Sequence, residues 1–167
     1  MSIIVTKTGI EKINNEIAKL KERLAEIRKE KNTVSGDTWY DDNPLFNSLQ
    51  QEETALYARI KELEAILKEA KVVESDDENR NQVQINSYVW CHCRYPNFEE
   101  EMVFQIVGFG ETDILNGRIS YNSPVGKALI GRSIHDAVPV DTPVGQAIYT
   151  IKGIFNSMEE ADQAMNA

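Results

Sequence analysis

Apolar residues in the first part of the chain recur with the period of an α-helix. Six of them alternate in spacing between three and four residues, as in the seam of a coiled coil: Ile10, Ile13, Ile17, Leu20, Leu24 and Ile27. Glu, Lys and Arg fill most positions between them, which is typical of a solvated helix exterior. The pattern predicts a helix from Thr8 to Val34, with Thr8 as its N-cap and Glu11 as the capping-box partner.

A second helical stripe follows after a short connection. Its apolar positions are Leu49, Leu56, Ile60, Leu63 and Leu67, and a glutamate occupies the seam position between the first two. Asn43 and Pro44 supply an N-cap and a first-turn proline before this stripe. Because isolated helices are marginally stable and short connections join antiparallel neighbours, the two stripes predict an antiparallel coiled-coil hairpin. Its first helix would be about 40 Å long.

The second half of the chain changes to a period of two. Val83, Ile85, Val89, Cys91 and Cys93 occupy odd positions between mostly polar even ones, which predicts a half-buried strand. Further strands are expected near 102–107, 118–121, 138–140 and 146–155. Ser123, Pro124 and Gly131 suit the cap, the first turn and the end of one short helix.

The fold class that these elements predict is α+β. An acidic stretch at 74–81 without apolar side chains separates the two patterns, and we place the domain boundary near residue 76. Residues 1–76 are the predicted helical hairpin. Residues 77–167 are the predicted, largely antiparallel sheet with one short helix. Capping-box spacing at Ser157 and Glu160 predicts a further short helix in the tail.

Charge and composition exclude several classes of function and location. The chain of 167 residues carries a net charge of −9, which argues against direct gripping of nucleic-acid phosphates. No apolar run approaches the ~18 residues that a membrane helix requires, and the first residues lack a secretory signal pattern. The two cysteines are too few for a disulfide framework and suit a reducing compartment. We therefore expect a cytoplasmic protein without a membrane partner.

Cys91, His92 and Cys93 form a cluster of residue types that can bind metal. On a strand the two thiols face one side and the imidazole the other, so these side chains cannot close on one ion. No second cysteine pair completes a tetrahedral site, and the sequence has neither a phosphate-binding glycine loop nor a His-Glu-x-x-His motif. We interpret the cysteines as buried apolar residues, and no self-contained active site is visible in the sequence.

The loop between the two predicted helices concentrates unusual side chains. Residues 33–43 contain three aspartates and two adjacent aromatic residues: Asp37, Asp41, Asp42, Trp39 and Tyr40. Asp is an ordinary turn residue and is favoured near a helix N-terminus, so turn chemistry by itself accounts for much of this composition. Large aromatic residues at the far end of a rod indicate a docking contact, and clustered carboxylates are ligands that Mg²⁺ accepts.

The segment ISYNSPVGKALIG at 119–131 resembles the most specific signature of the bacterial GreA/GreB transcript cleavage factors. Three further stretches are similar to other motifs of that family: QIVG at 105–108 followed by ETD at 111–113, the turn with Thr142, Pro143 and Gly145, and TGIEKI at 8–13. The resemblance spans nearly the whole chain.

The resemblance implies a fold, a partner and an activity. Members of the family have an N-terminal antiparallel coiled coil and a C-terminal domain with an FKBP-like fold, which docks at the secondary channel of bacterial RNA polymerase. The coiled coil enters the channel, where two tip acids help to hold a second Mg²⁺ and the polymerase hydrolyses the 3′ end of backtracked nascent RNA. The chain is then an accessory transcription elongation factor, not an enzyme, and its contact with DNA is indirect.

Site residues follow from the same resemblance. Asp37 and Asp42 are the expected Mg²⁺ ligands, contributed in trans, with Asp41 able to substitute. Trp39 and Tyr40 are the expected tip contacts, to elements of the active centre or to the RNA end. The residues expected to dock on the polymerase are Asp113, Ser120, Ser123 and Pro124. The metal site is completed only inside the polymerase, so the free protein is not expected to hold Mg²⁺.

The tip departs from the family pattern in its acids. Asp37 and Asp42 are separated by four residues, which is two more than usual, and Leu45 replaces a third family acid. Metal-assisted hydrolysis is sensitive to displacements of about 1 Å. The alternative is therefore a Gre-like paralogue that occupies the same channel and inhibits or modulates transcription without cleavage. A different class is a prolyl isomerase on the FKBP-like fold, or a chaperone arm or dimerising coil.

Overall fold

A computed structural model describes residues 2–34, 43–74 and 81–167 of the chain. The chain divides into two compact units, the first consisting mainly of Ile10–Ala70 and the second of Ile4–Gly9 together with Lys71–Ala167. The predicted boundary near residue 76 and the predicted tip at 35–42 lie outside the described residues. Within those residues, no helix combines the length and the apolar content needed to cross a membrane.

The first unit is built from two long helices, α1 (Lys7–Val34) and α2 (Pro44–Glu69). Residues of both apolar stripes are buried: Ile13, Ile17, Leu24 and Ile27 from α1, and Leu49, Ile60, Leu63 and Ile66 from α2. The predicted stripes are therefore confirmed, with one correction. Ile66 is buried where Leu67 was expected and Leu67 is half-buried, because the stripe advances by three residues from Leu63 instead of four.

Ion pairs between the two helices show that they are antiparallel. Close to the loop between the helices, Arg23 and Lys31 of α1 pair with Glu52 and Glu53 of α2. Farther from that loop, the partner residues lie earlier on α1 and later on α2: Glu16 with Arg59, and Lys21 with Glu64. The α-helical hairpin predicted from the sequence is thus present in the structure.

The N-cap of α1 is Thr6 and not Thr8, so this prediction was wrong. The helix begins at Lys7, and the backbone N–H of Gly9 donates to Oγ1 of Thr6 at 3.0 Å. The Thr6 hydroxyl in turn donates to Oε2 of Glu111 at 2.7 Å, and both residues are buried. A partner 105 residues away therefore holds Thr6 in place as the cap, which the local sequence pattern does not reveal.

The start of α2 follows the prediction. Oδ1 of Asn43 accepts hydrogen bonds from the backbone N–H groups of Leu45 at 3.0 Å and Phe46 at 3.3 Å. Pro44 is the first residue of the helix, where its missing N–H leaves no donor unsatisfied.

The second unit contains one sheet of five strands in the part that the structure describes, in the order β5-β4-β3-β7-β6. The strands are β3 (Tyr88–Arg94), β4 (Glu99–Val107), β5 (Arg118–Ser120), β6 (Ala137–Thr142) and β7 (Gly145–Phe155). Three of the four neighbouring pairs are antiparallel, so the predicted largely antiparallel sheet is confirmed; the exception is the parallel pair of β4 and β5. Two short strands, β1 (Ile3–Val5) and β2 (Ala70–Val72), form a separate pair.

Short helical segments complete this unit. They are a single 3₁₀ turn (Ile114–Asn116), α3 (Pro124–Leu129) and α4 (Met158–Met165). Ser123 caps α3 and Ser157 caps α4, as predicted. The α+β fold class is therefore confirmed, with a helix in the tail in addition to the one before β6.

One predicted strand begins later than its alternation indicated. Val83 and Ile85 are buried, but they precede β3 and are separated from it by a turn in which Asn86 has a φ of 70°. The backbone N–H of Val83 donates to the carbonyl of Arg132 at 2.8 Å. The apolar alternation is therefore shared by two segments with different hydrogen-bond partners, and periodicity does not distinguish them.

The two cysteines lie in the core, as interpreted from the sequence. Cys91 and Cys93 are fully buried on the inner face of β3. Burial raises the pKa of each thiol to about 12, so both are protonated at neutral pH. Among the described residues, no group of three or more His, Cys, Asp or Glu side chains is placed to hold a metal ion.

Candidate functional site

The predicted tip residues lie outside the described part of the chain. These are the acids Asp37, Asp41 and Asp42 and the aromatic residues Trp39 and Tyr40. The structure does describe the helix ends to which this segment is joined, at Val34 and Asn43. The arrangement of these two ends is decided by side chains that reach from one helix to the other.

The main link near the tip is an ion pair between Lys31 and Glu53. Nζ of Lys31 lies 2.6 Å from Oε2 of Glu53, and each side chain is less than one-fifth exposed. Nζ also lies 5.0 Å from the ring centroid of Phe46, within the range of a cation–π contact. The hydrogen bond from Lys31 lowers the pKa of the Glu53 carboxyl. Glu53, which interrupts the apolar stripe of α2 between Leu49 and Leu56, is thus a paired, half-buried residue.

A second link joins Arg23 to Glu52. Nε and Nη2 of Arg23 donate to the two carboxylate oxygens of Glu52 at 2.8 and 3.2 Å, which is the two-point geometry that suits a guanidinium. Nη1 of the same side chain donates to Glu26 and Glu30, both at 3.1 Å. Arg23 and Lys31 are therefore both paired with glutamates within the hairpin.

Two of the predicted docking residues serve the local geometry around α3. Oγ of Ser123 accepts from the N–H of Gly126 at 3.0 Å and donates to the carbonyl of Ser120 at 2.7 Å. Oγ of Ser120 accepts from the N–H of Asn122 at 3.1 Å. Both hydroxyls are thus engaged inside the loop. They shape the surface that Pro124 presents.

Asp113 stands beside a pair of exposed apolar residues. Its carboxylate accepts from Nδ2 of Asn116 at 2.6 Å, and this bond lowers the pKa of the carboxyl. The following side chains, Ile114 and Leu115, are 79% and 99% exposed. Neither residue is among the site residues predicted from the sequence. The signal that could have revealed them is two large apolar residues directly before an Asn-Gly turn pair.

An open apolar cavity of about 670 Å³ joins two of these regions. Pro124 and Ile114 line it, together with Tyr95, Phe98, Val125 and Val144. The fold therefore brings Pro124 and Ile114, the neighbour of Asp113, to one surface, whereas Ser120 and Ser123 do not line the cavity. Sequence reasoning could not find the cavity, because its residues come from four separate stretches of the chain.

A buried carboxylate fastens the first residues of the chain to the sheet. Glu111 is 3% exposed and accepts from Thr6, while Nη2 of Arg118 lies 3.8 Å from its other oxygen. Two further hydrogen bonds hold Ile4: its carbonyl accepts from the Phe109 N–H at 2.9 Å, and its N–H donates to the Tyr121 side-chain hydroxyl at 3.0 Å. The ETD stretch thus has a structural role.

The described chain thus consists of a helical hairpin linked by ion pairs and an α+β unit with an open apolar cavity. Two family models match the chain. The model for the N-terminal domain of the GreA/GreB transcription elongation factors matches residues 3–72, and the model for their C-terminal domain matches residues 76–156. The chain therefore belongs to the GreA/GreB family of transcription elongation factors. As a member of this family, it is an accessory factor of transcription.

Curated relatives agree with this assignment. The transcription elongation factor GreA of Thermosipho africanus is 35% identical over 157 residues, which is 92% of this chain and 96% of the relative. GreA of Thermoanaerobacter pseudethanolicus is 33% identical over 144 residues, covering 86% of this chain and 90% of the relative.

Solved structures are also similar in sequence. GreA factor homolog 1 (Gfh1) of Thermus thermophilus is 28% identical, covers 93% of this chain and 99% of its own, and superposes with a TM-score of 0.42. A GreA/GreB factor from Nitrosomonas europaea is 21% identical, with coverage of 92% and 98% and a TM-score of 0.40.

Proposed function

We propose that the chain binds bacterial RNA polymerase, that its hairpin enters the secondary channel, and that its acidic tip stimulates cleavage of backtracked nascent RNA. The observation that carries this proposal is the hairpin itself. Its two helices are linked near the tip by Lys31–Glu53 and Arg23–Glu52, and an acidic segment joins their ends. A linked hairpin is suited to deliver side chains into another enzyme's active centre.

The donor set at the tip suits Mg²⁺. Asp37 and Asp42 provide carboxylate oxygens, and Asp41 is available as a substitute. A second Mg²⁺ shared with the polymerase would stabilise charge on the attacking water and the leaving oxygen. Because the polymerase supplies the remaining ligands, the role of the chain is to hold these carboxylates beside the RNA 3′ end. Trp39 and Tyr40 would contact the active centre or the RNA end.

The charge distribution near the tip supports this role. Arg23 and Lys31 are both engaged by glutamates of the hairpin. An end of the hairpin that carries three aspartates attracts cations and does not favour a grip on RNA phosphates. Contact with nascent RNA is therefore proposed only at its 3′ end and only within the polymerase complex. The cytoplasm stays the predicted location.

The second unit is proposed to dock on the polymerase through the surface around Pro124. This residue is exposed and lines the apolar cavity, and the rim of the cavity carries Ile114 and, next to it, Asp113. Exposed apolar side chains around a cavity are typical of protein interfaces. Ser120 and Ser123 contribute by holding the loop before Pro124.

The test uses a stalled, backtracked transcription complex with labelled RNA. Wild-type protein is expected to shorten the RNA from its 3′ end in the presence of Mg²⁺. Asp37→Asn and Asp42→Asn are expected to reduce the rate about 100-fold or more, because each loses a carboxylate ligand. Asp162→Asn, which removes an exposed carboxylate in α4, is the matched control and should leave the rate unchanged.

One observation favours the alternative of a channel-binding inhibitor. Leu45, which stands where the family has a third acid, is 56% exposed at the start of α2. If wild-type protein binds the polymerase and slows RNA synthesis but does not shorten the RNA, the chain is an inhibitor and not a cleavage factor. Absence of binding to core polymerase would contradict both.

A further inference from the structure

The turn that leads into β5 contains the one Asn-Gly pair of the amino-acid sequence, Asn116 and Gly117. In such a pair the backbone nitrogen of the glycine can attack the side-chain amide carbon of the asparagine, because glycine has no side chain that hinders a close approach. The attack forms a five-membered succinimide, and the N–H proton leaves with the amide nitrogen as ammonia. Water then opens the ring at either carbonyl, which yields aspartate or isoaspartate.

The turn exposes this pair to water. Asn116 is exposed, and the two preceding residues, Ile114 and Leu115, are among the most exposed large apolar residues described. The 3₁₀ segment Ile114–Asn116 contains no buried residue. Because little apolar burial holds this segment closed, its local opening costs less free energy than unfolding of the sheet.

Hydrogen bonds engage both reacting groups while the turn is closed. Nδ2 of Asn116 donates to Oδ2 of Asp113 at 2.6 Å. The N–H of Gly117, whose nitrogen is the attacking atom, donates to the carbonyl of Ile114 at 3.1 Å. Both groups must leave these bonds before the ring can close. The closed turn therefore protects the pair.

The backbone around the pair tolerates no added length. The N–H of Asp113 donates to the carbonyl of Arg118 at 2.9 Å, and the N–H of Arg118 donates to the carbonyl of Asp113 at 2.8 Å. The N–H of Gln105 in β4 donates to the carbonyl of Gly117 at 2.8 Å. An isoaspartate runs the main chain through its side-chain carbon, so it lengthens the segment between the two bonded residues by one carbon atom. These backbone bonds cannot all persist in that product.

We propose that Asn116 is a site of spontaneous deamidation, and that Asp113 and the closed turn set the rate of the reaction. The reaction proceeds from the open turn, in which the Gly117 nitrogen is free to attack. The isoaspartate product loosens the start of β5. This chemistry belongs to the chain itself and does not depend on the proposed function.

The test follows deamidation of the full chain by proteolysis and mass spectrometry of the peptides, after incubation in mildly alkaline buffer. In urea, Asn116 is expected to react severalfold faster than Asn122 and Asn156, which precede serine. In the folded chain Asn116 should react about tenfold more slowly than in urea, because two hydrogen bonds must open first. Asn116→Gln, which would need a larger ring, should remove the signal from this peptide.

Variants of Asp113 isolate the protection by the turn. Asp113→Ala is expected to raise the rate at Asn116 in the folded chain about fivefold and to leave the rate in urea unchanged, because it removes one hydrogen bond of the closed turn. Asp113→Asn keeps a side-chain oxygen as acceptor and should restore most of the protection. Asp162→Ala, which removes an exposed carboxylate in α4, is the matched control. Circular dichroism shows whether each variant is folded.

Two outcomes overturn the site or its protection. The site is overturned if Asn116 is not modified in the folded wild-type chain, or if Asn122 and Asn156 react as fast in urea. The role of Asp113 is overturned if Asp113→Ala and wild type react at the same rate when folded.

The effect on β5 is tested by comparing the two products. Asn116→Asp supplies the aspartate product with an unchanged backbone. Incubated wild type contains isoaspartate, which a purified isoaspartyl carboxyl methyltransferase labels. Hydrogen exchange at the N–H groups of Gln105 and Arg118 should be faster in the isoaspartate form than in Asn116→Asp, because their bonds span the lengthened segment. Equal exchange in the two forms overturns the proposed loosening of β5.

Discussion

The contact between Gly126 and Ser120 illustrates how single residues set the surface around Pro124. A Cβ atom at position 126 would lie 2.1 Å from the carbonyl oxygen of Ser120, so any other residue would push α3 away from β5. The same carbonyl accepts the Ser123 hydroxyl. Glycine and serine are therefore needed at these positions for packing and capping, whatever the partner of this surface is.

Replacing Ser123 with alanine tests this structural role. Ser123→Ala removes the acceptor for the Gly126 N–H and the donor to the Ser120 carbonyl, so we expect a loss of about 1 kcal/mol in the free energy of unfolding. Urea unfolding measures the change. Ser48→Ala is the matched control, because Ser48 lies exposed within α2, and its replacement should change stability by less than about 0.5 kcal/mol. Similar values for the two variants would contradict the capping role.

At the scale of the elements, the apolar seam between α1 and α2 contains a polar pair. Leu49 and Ile60 are buried, whereas the seam between them carries the paired Glu53 and the half-buried Leu56. Polar pairs in a helical seam are known to specify register at some cost in stability. We expect the Lys31–Glu53 pair to have this effect near the tip, where register decides the position of the acidic segment.

A charge exchange tests the Lys31–Glu53 pair. Lys31→Glu and Glu53→Lys are each expected to lower the free energy of unfolding by about 1–2 kcal/mol, because each leaves two like charges facing one another. The double variant should recover most of that loss. Urea unfolding followed by circular dichroism gives the coupling free energy. The control is the exposed Lys21–Glu64 pair, whose coupling should be below about 0.5 kcal/mol.

The same pair predicts a dependence on pH. Its hydrogen bond lowers the pKa of Glu53 in the folded protein. A carboxyl whose pKa is lowered in the folded protein stabilises the fold at pH values above its unfolded-state pKa of about 4.3. That contribution is lost as the pH falls through the folded-state pKa. Below about pH 4, the stability of wild type should therefore fall more steeply than that of Glu53→Gln. Parallel stability curves measured by urea unfolding at pH 2–7 would contradict this.

At the scale of the whole molecule, the chain order and the compact units do not coincide. Ile4–Gly9 belong with the second unit although they precede the hairpin. Their attachment depends on the buried Glu111, which accepts from Thr6 and faces Arg118. Thr6, which caps the start of α1, is therefore itself part of the second unit, where its hydroxyl donates to Glu111.

Removal of Glu111 is expected to release this segment. Glu111→Ala leaves the Thr6 hydroxyl without its buried acceptor and the Arg118 guanidinium without its paired carboxylate, at a cost of about 3 kcal/mol. Hydrogen exchange should accelerate at the N–H groups of Phe109 and Gly9, which bond to Ile4 and Thr6. Glu101→Ala, which removes an exposed carboxylate paired with Lys152, is the control and should leave these two amides unchanged. Unchanged exchange in Glu111→Ala would show that the segment is held by other contacts.

Local patterns predicted much of the fold because the responsible forces act over short stretches. The caps at Asn43, Ser123 and Ser157 were predicted correctly, since a cap bonds to residues two or three positions away. The cap of α1 was predicted wrongly, because Thr6 is selected by a contact with Glu111. The start of β3 was misplaced for a similar reason, since burial of Val83 depends on the loop at Arg132.

One part of the candidate site is visible in the sequence, and the other part is visible only in the folded structure. The acidic tip is a feature of the sequence itself, visible as Asp37, Asp41 and Asp42 between two helical stripes. The cavity beside Pro124 could not be predicted, since Tyr95, Ile114 and Val144 are distant in the chain and meet only in the folded unit.

The amino-acid sequence by itself determined the helical hairpin, the α+β class, the buried cysteines and the membership of the GreA/GreB family, because periodicity, capping and contiguous motifs are local properties. The tertiary structure alone decided the partners of Glu111 and Glu53 and the apolar cavity beside Pro124. The physical reason is that burial and pairing of a charge depend on residues from distant parts of the chain, which come together only when the protein is folded.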